Sequence, residues 1–389
     1  FFSVFFVVCK ALTMSGHEIG HPEPKKPGVV RIWVDGCFDM MHYGHANLLR
    51  QAAALGDELY VGIHTDEEVN TFKGGYPVMT AEERYAAARA CKWVTAVVEG
   101  APYVTEMEDL KKHEIDYVAH GDDMSVDLNG NDSYAAVKAM GMMKIVRRTE
   151  GVSTTDLVGR MLLLTKTHHL FETEDESQPP VIQEKSREFV EACGEQTEGT
   201  NFCKFLTTSR RIVQFSSNKQ PKEKDTIVYV DGDFDLFHPG HSDFLREAKK
   251  KGTFLIAGVH HDKVVNMKKG ANFPIMNINE RVLSVLSCRY VDECIIGVPF
   301  EVTEDLLKLA NISIVCAGKD ATRAECEVDP YEVPKKMGIF SEVDSGSYLT
   351  ATQIIKRVIQ NRLDYEARNL KKQKKDKDLQ NTAYKVQEL

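Results

Sequence analysis

The 389-residue chain, 42% hydrophobic and with a formal net charge of −9, is long enough for two globular domains that each bury a core. The acidic balance argues against a nucleic-acid binder, whose phosphate contacts require a basic surplus, while a small phosphorylated ligand needs only a local positive site. Nine scattered cysteines, odd in number and without a C-x-x-C pair, suggest neither a disulfide framework nor a zinc site, and fit a reducing, cytoplasmic compartment.

Phe1 to Val8 is apolar but too short to span a bilayer, and no positively charged region precedes it. Met14 opens a polar stretch that reads as an amino terminus, so residues 1–13 are expected to stand outside the fold. Beyond them the chain is written twice. Val34-Asp-Gly-Cys-Phe-Asp-Met-Met-His-Tyr-Gly-His45 returns as Val230-Asp-Gly-Asp-Phe-Asp-Leu-Phe-His-Pro-Gly-His241, an offset of 196 that becomes 197 by Pro77 and Pro274. A repeat this long is a duplicated domain, since solenoid units are far shorter.

In each copy a β-rich run (Val29 to Asp35; Thr226 to Asp231) leads through a Gly-containing turn to a helical segment ending at Gly56 or Gly252, the expected C′ residue. A second strand follows (Glu58 to His64; Phe254 to His260). The next helix opens on a capping box, Thr80-Ala-Glu-Glu83 in one copy and Asn277-Ile-Asn-Glu280 in the other. Strands at Trp93 to Val98, Tyr117 to His120 and Lys144 to Val146 alternate with helices. The pattern predicts an α/β fold: two tandem Rossmann-like domains, each a parallel sheet flanked by helices, with ligands at the carboxyl ends of the strands. The domains are placed at 28–165 and 225–362. Residues 166–224 read as a partly packed linker, with short elements at Glu184 to Cys193 and Phe205 to Phe215, and 363–389 as a polar tail.

His42-Tyr-Gly-His45 puts two imidazoles one turn apart where the first loop enters a helix, so both can face a phosphate at the helix amino terminus. Gly44 lets the backbone approach closely. A lone His-x-x-His is as readily a pair of satisfied histidines, and no third ligand or His-Glu-x-x-His supports a metal site. Lys73 and Arg148 have equally bland readings as surface cations, and Ser153-Thr154-Thr155 reads as a helix cap. Asp39 either orients His42 or the ribose, or fixes the turn.

What lifts these residues is the whole set: Asp35-Gly-Cys-Phe-Asp-Met-Met-His-Tyr-Gly-His45, Thr71-Phe-Lys-Gly-Gly-Tyr-Pro-Val-Met-Thr-Ala-Glu-Glu-Arg-Tyr85 and Arg148-Thr-Glu-Gly-Val-Ser-Thr-Thr155. Together they resemble the nucleotidyltransferase superfamily and, within it, the cytidylyltransferases, over residues 28–165 and more loosely 225–360. Two copies in one chain resemble the family's tandem members, which use phosphoethanolamine; the phosphocholine members have one copy and a long amphipathic membrane helix.

The resemblance implies transfer of the cytidylyl group of CTP to phosphoethanolamine, giving CDP-ethanolamine and pyrophosphate for phosphatidylethanolamine synthesis, by direct attack without a covalent intermediate. It implies that His42 and His45 contact the triphosphate, that Lys73 approaches the phosphates of both substrates, and that Arg148, Ser153, Thr154 and Thr155 hold the β- and γ-phosphates. Gly36, Phe38, Asp39, Gly44, Gly121 and Asp122 contact nucleotide, and Mg²⁺ accompanies CTP. An ammonium pocket needs carboxylates or aromatic faces, for which Tyr103 and Asp123 are the candidates. A cytoplasmic protein, peripheral to the endoplasmic reticulum at most, follows, either a homodimer or an intramolecular pseudo-dimer.

The second copy keeps His238, His241 and Lys269, a nucleotide-like site, but Ser345 stands where Arg148 does in the first. It is expected to be a degenerate partner, with Lys268 or Lys319 as the substitutes that would rescue it. Rival readings are a phosphocholine or glycerol phosphate enzyme, an ATP-using nucleotidyltransferase, and a silent nucleotide-binding scaffold.

Overall fold

The computed structural model describes residues 22–123, 125–126, 130–149, 151–162, 207–270, 272–319, 328–361 and 365. Residues 1–13, Glu150, the Glu184 to Cys193 element with most of the linker, and nearly all of the polar tail lie outside the described residues.

The first half runs β1 (Arg31–Gly36), α1 (Tyr43–Ala53), β2 (Glu58–Ile63), α2 (Asp66–Lys73), α3 (Ala81–Arg89), β3 (Ala96–Glu99), α4 (Met107–Lys112), β4 (Tyr117–Gly121), α5 (Ala135–Ala139), β5 (Met143–Val146) and α6 (Thr154–Leu162). After α7 (Thr207–Phe215) the second half repeats it: β6 (Ile227–Gly232), α8 (Pro239–Lys249), β7 (Phe254–His260), α9 (Asp262–Lys269), α10 (Ile278–Ser287), β8 (Glu293–Val298), α11 (Glu304–Leu309), β9 (Ile314–Gly318), α12 (Glu332–Lys336), β10 (Phe340–Val343) and α13 (Ala351–Gln360).

Each half is a five-stranded parallel sheet, ordered β3-β2-β1-β4-β5 and β10-β9-β6-β7-β8. The order reverses between β1 and β4, and between β6 and β9. A crevice therefore opens at the carboxyl ends of those strands, where Asp35 and Asp231 end the central ones. Both capping boxes form, Thr80 with Glu83 and Asn277 with Glu280.

Gly56 and Gly252 are not C′ residues as expected. The helices stop earlier, with caps at Ala54 and Lys250. The reason for glycine is close packing: a Cβ on Gly56 would lie 2.8 Å from the Val30 carbonyl oxygen, and one on Gly252 2.4 Å from that of Thr226.

The halves pack about a pseudo-two-fold axis. At its centre Cys91 opposes Cys288 in an antiparallel bridge flanked by Lys92 N–H to Ser287 O and Arg289 N–H to Ala90 O, each 2.9 Å, one bond being the symmetry mate of the other. Helix α7 seals this seam with Phe215, fully buried and edge-on to Trp93 at 4.9 Å. Farther out, Arg160 of α6 grips Glu280 with both of its terminal nitrogens (2.7 and 2.9 Å), and Arg357 of α13 grips Glu83 in the same way (2.6 and 2.9 Å). Each arginine reaches the capping-box glutamate of the other domain. One apolar cluster joins Leu157, Val158 and Met161 of α6 to Leu236, Ile275, Met276, Ile354 and Val358 of the second half.

Candidate active site

The strand-to-helix turn after β1 is strained, with Phe38 and Met40 at φ +51° and +44°, left-handed values that side chains seldom adopt. Two anchors hold it. Both oxygens of the buried Asp39 accept backbone N–H groups, from Met79 and Val78 at 2.9 Å each. Arg84, 1% exposed, donates to the carbonyls of Cys37 and His64 at 2.7 Å and to Asp66 Oδ1 at 2.8 Å. Of the roles expected for Asp39, nucleotide contact or fixing the turn, the structure displays the second, its carboxylate holding the backbone of the α2–α3 loop.

The frame aims the histidines. His42 is the N-cap of α1, its Nδ1 accepting from Gly44 N–H at 3.1 Å, and His45 Nδ1 accepts from His42 N–H at 3.4 Å. The rings stack 4.0 Å apart. With each Nδ1 accepting from backbone, each Nε2 carries the proton and acts as a donor. Gly44 is required by the stack: a Cβ there would lie 2.9 Å from His42 Cε1 and 2.8 Å from Val152 Cγ1. Phe38 packs against His45 at 5.5 Å, and a Cβ on Gly36 would meet the Phe38 ring at 3.2 Å.

The Ser-Thr-Thr run starts α6. Ser153 Oγ caps it by accepting from Asp156 N–H (3.0 Å), and Thr154 Oγ1 donates to Asp39 O (3.0 Å), tying α6 to the histidine turn. The Thr154 O–H is thereby committed to the framework, whereas Ser153, which only accepts, keeps its O–H as a donor, so the anion-binding capacity of this end resides in its backbone N–H groups, Ser153 and Thr155. Asp122 Oδ1 accepts from Arg148 N–H (3.1 Å), and the Arg148 guanidinium lies 3.8 Å from Asp123 Oδ2. Gly121 makes room for that arrangement, since a Cβ on it would stand 2.7 Å from Asp123 Oδ1. Lys73 ends α2, close enough to His64 for its charge to lower that imidazole's basicity, behind burial and against Asp35.

Asp123, expected as an ammonium acceptor, faces the Arg148 guanidinium and, at 4.0 Å, the His120 imidazole. The carboxylate that sequence reasoning passed over is Asp35. Buried at the end of β1, it accepts from Trp33 Nε1 (3.0 Å) and Thr105 Oγ1 (2.5 Å) on one oxygen and from Tyr134 on the other. Burial and then Asp35 drive the Tyr134 hydroxyl's ionisation far up, so it stays a donor. Tyr103 stacks on Phe72 (4.2 Å, 4° between planes) and packs on His64 (5.1 Å) beside this group. The available signal was the return of Asp35 and Tyr134 as Asp231 and Tyr331.

The second copy repeats the frame, Asp235 holding Ile275 and Met276 N–H and Arg281 clamping Asp233 and His260 carbonyls. Its charge differs. Asp233 replaces Cys37 and forms an ion pair with Lys269, while Lys319 pairs with Asp344 at 2.7 Å and Lys268 lies over the Phe300 ring at 4.6 Å. Burial, together with Lys269 and against Asp233, lowers His241 to about 4, and burial lowers His238 well below the usual value, so both are neutral at pH 7.

Anion donors converging on the switch point of a parallel α/β sheet define a nucleotidyltransferase, and the family model described as cytidylyltransferase-like matches residues 33–160 and 229–357. The chain is 51% identical to an ethanolamine-phosphate cytidylyltransferase of Dictyostelium discoideum over 90% of its length and 96% of the relative's, and 49% identical to one of Mus musculus over 90% and 92%. A choline-phosphate cytidylyltransferase of Arabidopsis thaliana is 46% identical, but over 34% of this chain and 45% of its own. The chain belongs to the ethanolamine-phosphate cytidylyltransferase family.

Proposed function

We propose that this protein condenses CTP with phosphoethanolamine to CDP-ethanolamine and pyrophosphate in its first domain. The observation that carries the reading is the juxtaposition, in one crevice, of a donor array for phosphates with a buried carboxylate in aromatic surroundings. A phosphate oxygen of phosphoethanolamine attacks the α-phosphorus of CTP, and the bond to the β-phosphate oxygen breaks on the opposite side. No side chain becomes covalently attached. His42 and His45 donate to the triphosphate, Lys73 bridges the two reactants, and Arg148 with the α6 backbone receives the departing pyrophosphate.

The ammonium is accepted by Asp35. Three of its roughly four lone-pair positions take Trp33, Thr105 and Tyr134, which leaves room on Oδ1 for an N–H donor. A primary ammonium supplies one; a trimethylammonium has none. Similarity to tandem ethanolamine-named relatives over nine-tenths of the chain supports the same choice.

Mg²⁺ fits this donor set as a companion of the nucleotide. The phosphate end is lined by anion donors, with Asp122 and Asp123 as carboxylates on the Arg148 side, and among the described residues no group of three His, Cys, Asp or Glu converges as a dedicated cage. When bound it would neutralise the pyrophosphate charge. Among the described residues no helix is long and apolar enough to cross a membrane.

The test is pyrophosphate release by purified protein with Mg²⁺ and CTP, offered phosphoethanolamine, phosphocholine or glycerol 3-phosphate. Selective release with phosphoethanolamine is expected. Equal release with phosphocholine sinks the Asp35 reading, and no release with any alcohol brings forward a silent scaffold.

A further inference from the structure

The second domain has lost its triphosphate end but not the pocket behind it. Asp231 ends β6 as Asp35 ends β1, and Tyr331 donates to its Oδ1 at 2.7 Å in the place of Tyr134. His260 takes the place of His64 and faces Phe300, which replaces Tyr103, at 6.2 Å. One change removes a donor from the carboxylate and another replaces one: Thr105 becomes the buried Val302, and the Trp33 indole becomes the Tyr229 hydroxyl. As a result Asp231 Oδ2 and the fully buried Tyr229 hydroxyl interact only loosely with one another and form no well-aligned hydrogen bond to a third group among the described residues. Burial pushes the Asp231 carboxyl above the usual range, with His260 opposing. Buried polar atoms held this loosely cost stability, and both the Asp231 carboxylate and the oxygen of the Tyr229 hydroxyl that faces it keep lone pairs an N–H donor can fill.

The pocket's mouth adds a charge. Lys268, exposed at the end of α9, stands where the first domain has Phe72, and its ammonium lies over the Phe300 ring. A ligand matching both ends has N–H donors inside and an anion outside. A nucleotide is disfavoured because Asp233 neutralises Lys269 and Ser345 replaces the arginine.

We propose that the second domain binds a phosphomonoester of a small amino alcohol without nucleotide, its primary ammonium on Asp231 and Tyr229 and its phosphate at Lys268. This rests on the reading of Asp35 as the first domain's ammonium acceptor, which the same experiment probes separately. Equilibrium dialysis of the full chain against labelled phosphoethanolamine, without CTP, compares wild type with Asp35→Asn and Asp231→Asn. One site that survives in Asp35→Asn and vanishes in Asp231→Asn is expected. Pyrophosphate release by Asp231→Asn should stay within about twofold of wild type, which shows that this variant is folded.

Ethanolamine should bind about tenfold more weakly than phosphoethanolamine, a difference that Lys268→Ala abolishes, and phosphocholine should be at least about tenfold weaker as well. Binding lost in Asp35→Asn and retained in Asp231→Asn overturns the proposal. So does phosphocholine binding as tightly as phosphoethanolamine, or displacement by inorganic phosphate alone. Failure of wild type to release pyrophosphate with phosphoethanolamine would instead strike the first-domain reading and leave the binding count to stand by itself.

Discussion

The two domains share a backbone frame and differ in charge, and the contrast separates what builds the site from what uses it. Phe38 and Met40 recur as Phe234 and Leu236, all with positive φ, and Asp39 and Arg84 recur as Asp235 and Arg281 with the same backbone partners. Strain of this kind costs about 1–3 kcal/mol per residue and persists only where surroundings impose it. The second domain keeps the strained turn although its phosphate end is neutralised. The turn has a second use there: Leu236, Ile275 and Met276 form the surface that seats α6 of the first domain.

The sharpest way to break the equivalence is to remove the same atom from both halves. His45→Ala should lower kcat on the order of 100-fold to 1000-fold, as loss of a transition-state donor does, whereas His241→Ala should change it by less than about threefold. Arg148→Ala should resemble the former. Comparable losses from His45→Ala and His241→Ala would mean that both domains turn over. Next in size is the glycine of the histidine stack. Gly44→Ala drives a methyl into His42 and should cost roughly 100-fold in kcat through misplacement of the donors. Gly240→Ala meets His238 and the Leu349 carbonyl, and should show in melting temperature with kcat nearly unchanged.

Charge offers a graded comparison. Cys37→Asp gives the first domain the second domain's carboxylate, and should raise the KM for CTP about tenfold or more by pairing with Lys73. An unchanged KM would remove Asp233 as the cause of degeneracy. Arg160→Ala should raise the same KM roughly fivefold to tenfold by loosening α6, and a charge-reversed pair, Arg160→Glu with Glu280→Arg, should recover part of it. Alanine at 160 with no effect on KM would make that ion pair a matter of stability alone.

The smallest effect is in pH. His238 and His241 are less basic folded than unfolded, so protonation favours the unfolded chain. Stability from this pair is fully present above the unfolded value near 6.5 and is lost as pH falls toward about 4. Asp235, raised to about 6 by burial, acts in the opposite sense within the same window: the folded chain holds its proton more tightly, so its share of stability grows as pH falls from about 6 toward the unfolded value of 3.8 and offsets part of the histidine loss. A calorimetric melt should show Tm falling by a few degrees between pH 6.5 and 4, and His241→Asn should flatten the slope.

Much of this was legible in the sequence because it is local. Strand patterns, both capping boxes and the His-x-Gly-His turn depend on neighbours within one element, and they appear close to where the spacing puts them, the exception being the strand expected at Trp93 to Val98, which runs Ala96–Glu99. The ammonium pocket was not, because Asp35 meets Thr105 and Tyr134 across 70 and 99 residues. Arg84, one residue of the Thr71 to Tyr85 string, proved to be a clamp on the turn. Gly56 was misread because it answers to the Val30 backbone brought alongside by the sheet, which spacing along the chain does not reveal.

The seat of α6 also bears on how the protein is made. A ribosome has translated every first-domain motif by Thr155, yet Arg160 and the apolar face of α6 rest on residues between Leu236 and Val358. In the nascent amino-terminal half α6 has its ties to the first domain, the Thr154 hydrogen bond to Asp39 O and packing on Met40, Val78 and Met79, without the seat the second half supplies. A polypeptide released early, even one with every catalytic residue, is expected to be less active than the complete chain until the missing half is supplied in trans.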